Sequence, residues 1–83
     1  FAEQCHRVLL NLKIILEAGG SGLERVLKVT IYMENLAQFG ELNEIYSEYF
    51  DVSKPARACV EVSNLPKGAD VEMDAIAEIS SVN

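Results

Sequence analysis

The chain has 83 residues, of which 49% are hydrophobic and 24% charged, with a formal net charge of −6. A chain this short builds one hydrophobic core and hence one domain, residues 1–83. Its seven scattered basic residues argue against a large nucleic-acid surface, which needs clustered lysine and arginine. No apolar run approaches the roughly 20 residues of a membrane span. Because Cys5 and Cys59 form no disulfide scaffold, we expect free thiols in a reducing compartment, the cytoplasm or the mitochondrial matrix.

The first predicted element is an amphipathic helix from Phe1 to Ala18, where apolar residues recur at helical spacing. Gly19 and Gly20 are expected to end it, since a glycine just past a helix takes the left-handed conformation at little cost. From Glu24 to Met33 the period changes to two, which predicts a strand. Its strongly apolar face would comprise Leu27, Val29, Ile31 and Met33.

A second amphipathic helix is predicted to follow Asn35, which with Gln38 resembles a helix capping box, and to run to Phe50. Two alternating segments, Lys54–Val62 and Val71–Ala77, are then expected to pair as a β-hairpin across a short loop. The order helix, strand, helix, strand, strand predicts an α+β fold in which two helices cover one face of a three-stranded sheet.

The segment Lys54–Val62 has two chemically different faces. Arg57, Cys59 and Glu61 alternate with small apolar residues. We therefore expect the apolar face to form core and the polar face to be either exposed to solvent or part of a functional site. The apolar face would comprise Ala58, Val60 and Val62.

Nothing in these 83 residues remains to cover the second face of the sheet. That face is predicted to include Val26, Tyr32 and Ile76, and we expect other subunits or a further segment to bury it. Phe1 already lies on the helical stripe with no capping residue before it, so we also expect further residues upstream.

Three stretches form a specific combination: Leu42–Phe50 in the second helix, Pro55-Ala56-Arg57-Ala58-Cys59-Val60, and Leu65-Pro66-Lys67-Gly68 followed by Val71–Ala77. They resemble the reactive intermediate deaminase family, also known as the YjgF or endoribonuclease L-PSP family. The resemblance covers nearly the whole chain. Two features depart from the family pattern. Residues 1–83 contain no counterpart of the N-terminal hairpin that contributes a tyrosine to the cleft in that family. The loop from Phe50 to Pro55 also looks shorter than in many relatives.

The resemblance implies a homotrimer with clefts between subunits, which hydrolyses enamine and imine intermediates such as 2-iminopropanoate and 2-iminobutanoate to 2-oxo acids and ammonia. It implies no cofactor and no metal. Arg57 would bind the substrate carboxylate, Glu72 would position the attacking water, and Cys59 and Asn43 would line the cleft. We therefore expect the face with Arg57 and Cys59 to look into a cleft between subunits, and Glu72 to share that cleft.

The residues alone leave plainer interpretations open. Arg57 could form a surface ion pair, Glu72 could be a solvated strand residue, and Cys59 could be a small buried hydrophobic residue. His6 is the only histidine, and with two distant cysteines it does not make a zinc site. Two other functions also remain: an endoribonuclease or translation inhibitor, and a non-catalytic module that binds small carboxylates.

Overall fold

The computed structural model describes residues 1–51 and 53–79, and its helices and strands follow the predicted order. The elements are α1 (Ala2–Ala18), β1 (Val26–Met33), α2 (Phe39–Tyr49), β2 (Ala56–Glu61) and β3 (Val71–Ala77). Short 3-10 turns precede β1, α2 and β3. The predicted tail, Ser80–Asn83, lies outside the described residues. Among the residues described, no helix is long and apolar enough to cross a membrane.

The two helices begin and end close to the predicted positions. Gly20, and not Gly19, takes the left-handed conformation after α1, with φ of 84° against −88° for Gly19. The amide of Ser21 then reaches back to the Leu16 carbonyl at 2.8 Å, which satisfies a carbonyl of the last turn. Before α2, the Asn35 side chain accepts a hydrogen bond from the Ala37 amide at 3.0 Å, so Asn35 caps the 3-10 turn Leu36–Gln38. Helix α2 itself begins after Gln38 with no side-chain cap, so the predicted capping box is present only in part.

The sheet has the strand order β2-β1-β3, with β1 parallel to β2 and antiparallel to β3. The predicted hairpin is therefore wrong, because β1 lies between the two strands that were expected to pair. Residues 62–70 connect them across the sheet, and this connection is longer than the two to five residues of ordinary hairpin loops. Helix α2 joins the parallel strands β1 and β2 as the crossover that parallel pairing requires.

The register of the parallel pair determines which face of β2 meets the helices. Val29 aligns with Arg57 and Ile31 with Cys59, and paired residues lie on the same face. Both β1 residues are fully buried beneath the helices. The expectation that the apolar face of β2 forms core is thus wrong: Arg57, Cys59 and Glu61 lie on the helix side, whereas Val60 is 41% exposed on the other.

Within residues 1–51 and 53–79 nothing covers the second face of the sheet, as predicted. The residues on this face differ in part from those expected. Tyr32 aligns with Val60 on one side and with Glu72 on the other, and Ile76 is 62% exposed on this face. Val26 was expected here but is buried, because a register shift between Val26 and Lys28 reverses the alternation at the start of β1. Leu27, expected in the core, is consequently 53% exposed.

The core lies between the helices and one face of the sheet. Its buried residues come from every helix and from β1 and β3. They are Cys5, Leu9, Val26, Val29, Ile31, Met33, Leu42, Ile45, Tyr46, Phe50 and Val71. Strand β2 contributes none of them, because it is an edge strand that the helix layer covers only in part. Charged side chains can therefore lie on its helix side, next to α2.

Candidate functional site

The side chain of Arg57 lies against one face of α2. Its guanidinium carbon is 5.2 Å from the centroid of the Phe39 ring and 4.8 Å from that of the Tyr46 ring, and Nη1 donates a hydrogen bond to Asn43 Oδ1. The three partners are spaced four and three residues apart, so they share one face of the helix. Two cation–π contacts and one hydrogen bond thus orient the guanidinium, which has five N–H donors in all.

A pocket of about 500 Å³ opens beside this arginine, between α2 and the segment that leads into β2. Its wall combines aromatic, amide, hydroxyl and charged side chains. The lining residues are Asn43, Tyr46, Ser47, Phe50, Asp51, Lys54, Pro55 and Arg57. Arg57, Lys54 and Asp51 are exposed at the surface of the protein, so a solute can reach the charges from solvent. The pocket therefore offers a charged, accessible wall above a buried aromatic floor.

The floor of the pocket is apolar around Tyr46. This residue is only 6% exposed, and its hydroxyl has no hydrogen-bond partner within the part of the chain that the structure describes. Burial raises the pKa of the Tyr46 hydroxyl, and the positive charge of Arg57 opposes that rise. Tyr46 is therefore an uncharged ring beneath the guanidinium. Because the ring is buried, water is largely excluded from the cation–π contact, and this strengthens the contact.

Cys59 lies two residues along β2 from Arg57, half-buried, with its Sγ 3.5 Å from Met33 Sδ. Burial raises the pKa of its thiol, and the charge of Arg57 partly opposes that rise. Because the thiolate is the nucleophilic form, this environment does not favour a nucleophile. Cys59 is not among the residues that line the pocket, so its expected place in the cleft stays a prediction.

Glu72 lies on the opposite face of the sheet from Arg57, so within a single chain the two side chains do not share a cleft. Glu72 pairs with Tyr32 on the uncovered face of the sheet. Its neighbour on that face, Asp74, accepts a hydrogen bond from the Tyr32 hydroxyl at 3.0 Å, which is the largest cause of a raised Tyr32 pKa. The structure therefore brings Arg57, Asn43 and Cys59 to one side of the sheet and leaves Glu72 on the other.

Sequence reasoning missed part of this arrangement. Phe39 and Tyr46 carry no predicted role, yet both contact Arg57. Their spacing puts 39, 43 and 46 on one face of the helix, but the same spacing is typical of core residues. Asp51 and Lys54, which also line the pocket, lie where the predicted second helix gives way to the next strand. Across the described residues, no group of three or more histidine, cysteine or acidic side chains could hold a metal ion.

Comparison with known proteins gives concordant results. A sequence model of the Endoribonuclease L-PSP family matches residues 1–79. A RutC family protein of Pyrococcus abyssi is 56% identical over 75 residues, which cover 90% of this chain and 59% of that protein. The crystal structure of the yeast protein YEO7 superposes with a TM-score of 0.94 at 45% identity, covering 96% of this chain and 64% of the other.

A third similar protein was crystallised with a small ligand. Escherichia coli TdcF, solved with bound serine, has a TM-score of 0.90 at 35% identity, with 95% of this chain and 65% of that chain covered. The chain thus spans about three fifths of the length of the relatives that it matches.

Proposed function

The chain belongs to the endoribonuclease L-PSP family, which includes the RutC and YjgF proteins, and from this premise we propose that it hydrolyses reactive 2-imino acids. The substrates would be 2-iminopropanoate and 2-iminobutanoate, with the enamines that interconvert with them. The products are the corresponding 2-oxo acids and ammonia. No metal or cofactor takes part in this proposal, and the compartment would be the cytoplasm or the mitochondrial matrix.

The observation that carries the proposal is the oriented guanidinium of Arg57 at an accessible pocket. Two aromatic rings and Asn43 hold it, while its other N–H groups can bind a carboxylate in the planar, bidentate manner that guanidinium favours. Serine, the ligand bound to TdcF, also carries a carboxylate next to its functionalised carbon. A 2-imino acid has the same arrangement, with the imine carbon beside the carboxylate.

In the proposed reaction a water oxygen adds to the imine carbon, and the carbon–nitrogen bond then breaks. The nitrogen leaves as ammonia with the protons of the water, and the carbon retains the oxygen as a carbonyl. Glu72 would hold and orient the water. Because these imines already hydrolyse in water, positioning of the carboxylate and the water supplies much of the acceleration.

The position of Glu72 requires a second copy of the chain in this proposal. Arg57 and Glu72 lie on opposite faces of the sheet, so one chain cannot place both at one substrate. The uncovered face exposes Val60 and Ile76, which suits burial against other subunits. We therefore propose a homotrimer in which Arg57, Cys59 and Asn43 of one subunit meet Glu72 of the next.

The direct test generates 2-iminopropanoate with a serine dehydratase and follows its decay with the protein present. We expect the intact protein to accelerate the decay, and Arg57→Ala to lower kcat/KM by about tenfold or more, since a charged hydrogen bond is lost. Arg25→Ala, which removes an exposed arginine outside the pocket, serves as the matched control. An unchanged rate in Arg57→Ala, or no acceleration by the intact protein, would contradict the proposal.

The family description favours ribonuclease activity as a second candidate. The net charge of −6 opposes it, because binding an RNA backbone needs clustered positive charge. A metal-free cut also needs an acid and a base, whereas His6 hydrogen-bonds with the Tyr49 hydroxyl at 3.1 Å and does not line the pocket. Cleavage of a labelled RNA by the purified protein, abolished in Arg57→Ala, would favour this candidate over imine hydrolysis.

A further inference from the structure

The pocket beside Arg57 has more charge than a small 2-imino acid can use. Its wall carries two cations, Arg57 and Lys54, and one carboxylate, Asp51. In a chain with 13 acidic and seven basic side chains, two cations on one small wall run against the overall balance. An anionic group bound near each cation would be stabilised by it, and a cationic group near Asp51 likewise. The wall therefore complements a ligand that carries two anionic groups and one cationic group.

The size of the pocket also favours a ligand larger than a three-carbon imino acid. Its volume of about 500 Å³ falls within the range of about 300–1,000 Å³ that holds drug-sized ligands. A three-carbon imino acid has six heavy atoms, so this volume leaves room for a longer substrate as well as for Glu72 of the next subunit. A longer substrate anchored by its 2-carboxylate on Arg57 could extend along the wall towards Lys54.

The charges of one substrate class match this wall group by group. A protonated 2-imino dicarboxylic acid carries two carboxylates and one iminium nitrogen, the inverse of two cations and one carboxylate. We propose that the pocket selects 2-imino dicarboxylic acids of four or five carbons, with Arg57 on the 2-carboxylate, Lys54 on the side-chain carboxylate and Asp51 facing the iminium nitrogen. This inference rests on the proposed imine hydrolysis and names the substrate class of the same site.

The source of such a substrate follows from its chemistry. An oxidase or dehydrogenase that removes two electrons from the Cα–N bond of an acidic amino acid releases a 2-imino dicarboxylic acid. The reaction in this pocket would then add water and release ammonia and a dicarboxylic 2-oxo acid. The supplying reaction is thus amino acid oxidation, whereas β-elimination from hydroxyamino acids supplies the monocarboxylic imines.

The test compares two imines made in place by amino acid oxidases, one from aspartate and one from alanine, with semicarbazide trapping as the readout. The intact protein should show a kcat/KM about tenfold higher for the dicarboxylic imine. Lys54→Met should remove that preference, because it lowers kcat/KM for the dicarboxylic imine about tenfold more than for the alanine-derived imine. Lys13→Met, which removes an exposed lysine from α1, should change neither rate.

The possible outcomes distinguish the proposed substrate selectivity from the proposed imine hydrolysis. Equal or lower kcat/KM for the dicarboxylic imine, or an equal loss on both imines in Lys54→Met, would overturn the selectivity while leaving imine hydrolysis standing. Absence of acceleration with either imine would overturn both. A binding measurement separates selectivity from turnover: 2-oxoglutarate should raise the Tm more than pyruvate does, and Lys54→Met should abolish the difference.

Discussion

Arg57 shows how a charged side chain can occupy the helix side of a sheet. Strand β2 lies at the edge of the sheet. The guanidinium of Arg57 therefore stacks on the Phe39 and Tyr46 rings and remains accessible to solvent on the pocket side. The exposed edge avoids the desolvation that would make a buried arginine costly. The same placement puts a positive charge close to Cys59, whose thiol pKa it lowers against the effect of burial.

The chemistry of Cys59 gives the first prediction at this scale. Its raised pKa keeps the thiol protonated near neutral pH, so alkylation by iodoacetamide should be slow at pH 7 and accelerate as the pH rises past the ordinary thiol range. Arg57→Leu should slow it further, because the charge that lowers the pKa is gone. The measurement uses a Cys5→Ala background, with mass spectrometry of the labelled peptide. Fast alkylation at pH 7 would contradict a raised thiol pKa at Cys59.

The sequence identified some of these residues and missed others for a clear reason. Arg57, Cys59 and Asn43 came from the family motifs, and the structure places Asn43 on the guanidinium and Cys59 beside it on the same face. Phe39 gave no signal, because an aromatic residue at helical spacing is usually core. Its contact with Arg57 depends on how β2 lies against α2, which no local pattern encodes.

At the scale of elements, the order and periods of helices and strands followed from the sequence, whereas their pairing did not. The alternation in β1 predicted its buried face correctly at Val29, Ile31 and Met33, because burial on one side produces strong alternation, but not at Leu27. Strand β2 alternates between apolar and polar residues too, but as an edge strand its hydrophobicity is a poor guide to which side meets the helices. The register of β2 against β1 determines which side of β2 meets the helices.

Helix α1 carries a buried thiol that couples stability to pH. Burial and the nearby carboxylate of Glu41 raise the pKa of Cys5 from the ordinary value of 9.0 to about 11. Below pH 9 the thiol is protonated in both states. Above it the unfolded chain ionises first, so the free energy of unfolding should fall between pH 9 and 11, by about 2–3 kcal/mol for two pKa units.

Urea unfolding of the intact protein and of Cys5→Ala between pH 8 and 11 measures this coupling. The variant lacks the ionising thiol, so its stability should fall less steeply, and the gap between the two proteins should narrow as the pH rises. Cys59, the lysines and the tyrosines titrate in both proteins and largely cancel in the comparison. Parallel curves over the whole range would show that Cys5 does not ionise differently in the two states.

At the scale of the whole molecule, the three-stranded sheet divides the proposed site. Its helix side carries the guanidinium that is proposed to bind the carboxylate, and its other side carries Glu72 among exposed groups such as Val60 and Ile76. Counting layers in the sequence predicted an uncovered face, and that prediction is confirmed for the residues that the structure describes. In the proposed trimer a relation between chains brings Glu72 to Arg57, and a pattern within one chain cannot specify it.

The central claim is therefore that each active site uses Arg57 of one subunit and Glu72 of another. It is tested by mixing Arg57→Ala with Glu72→Gln, each expected to lose most of its activity by itself, through unfolding and refolding of the intact proteins together. In trimers assembled at random from equal amounts, about one quarter of the sites pair an intact arginine with an intact glutamate. We predict recovery of about one quarter of the wild-type imine hydrolysis, and activity no higher than that of the separate variants would contradict the claim.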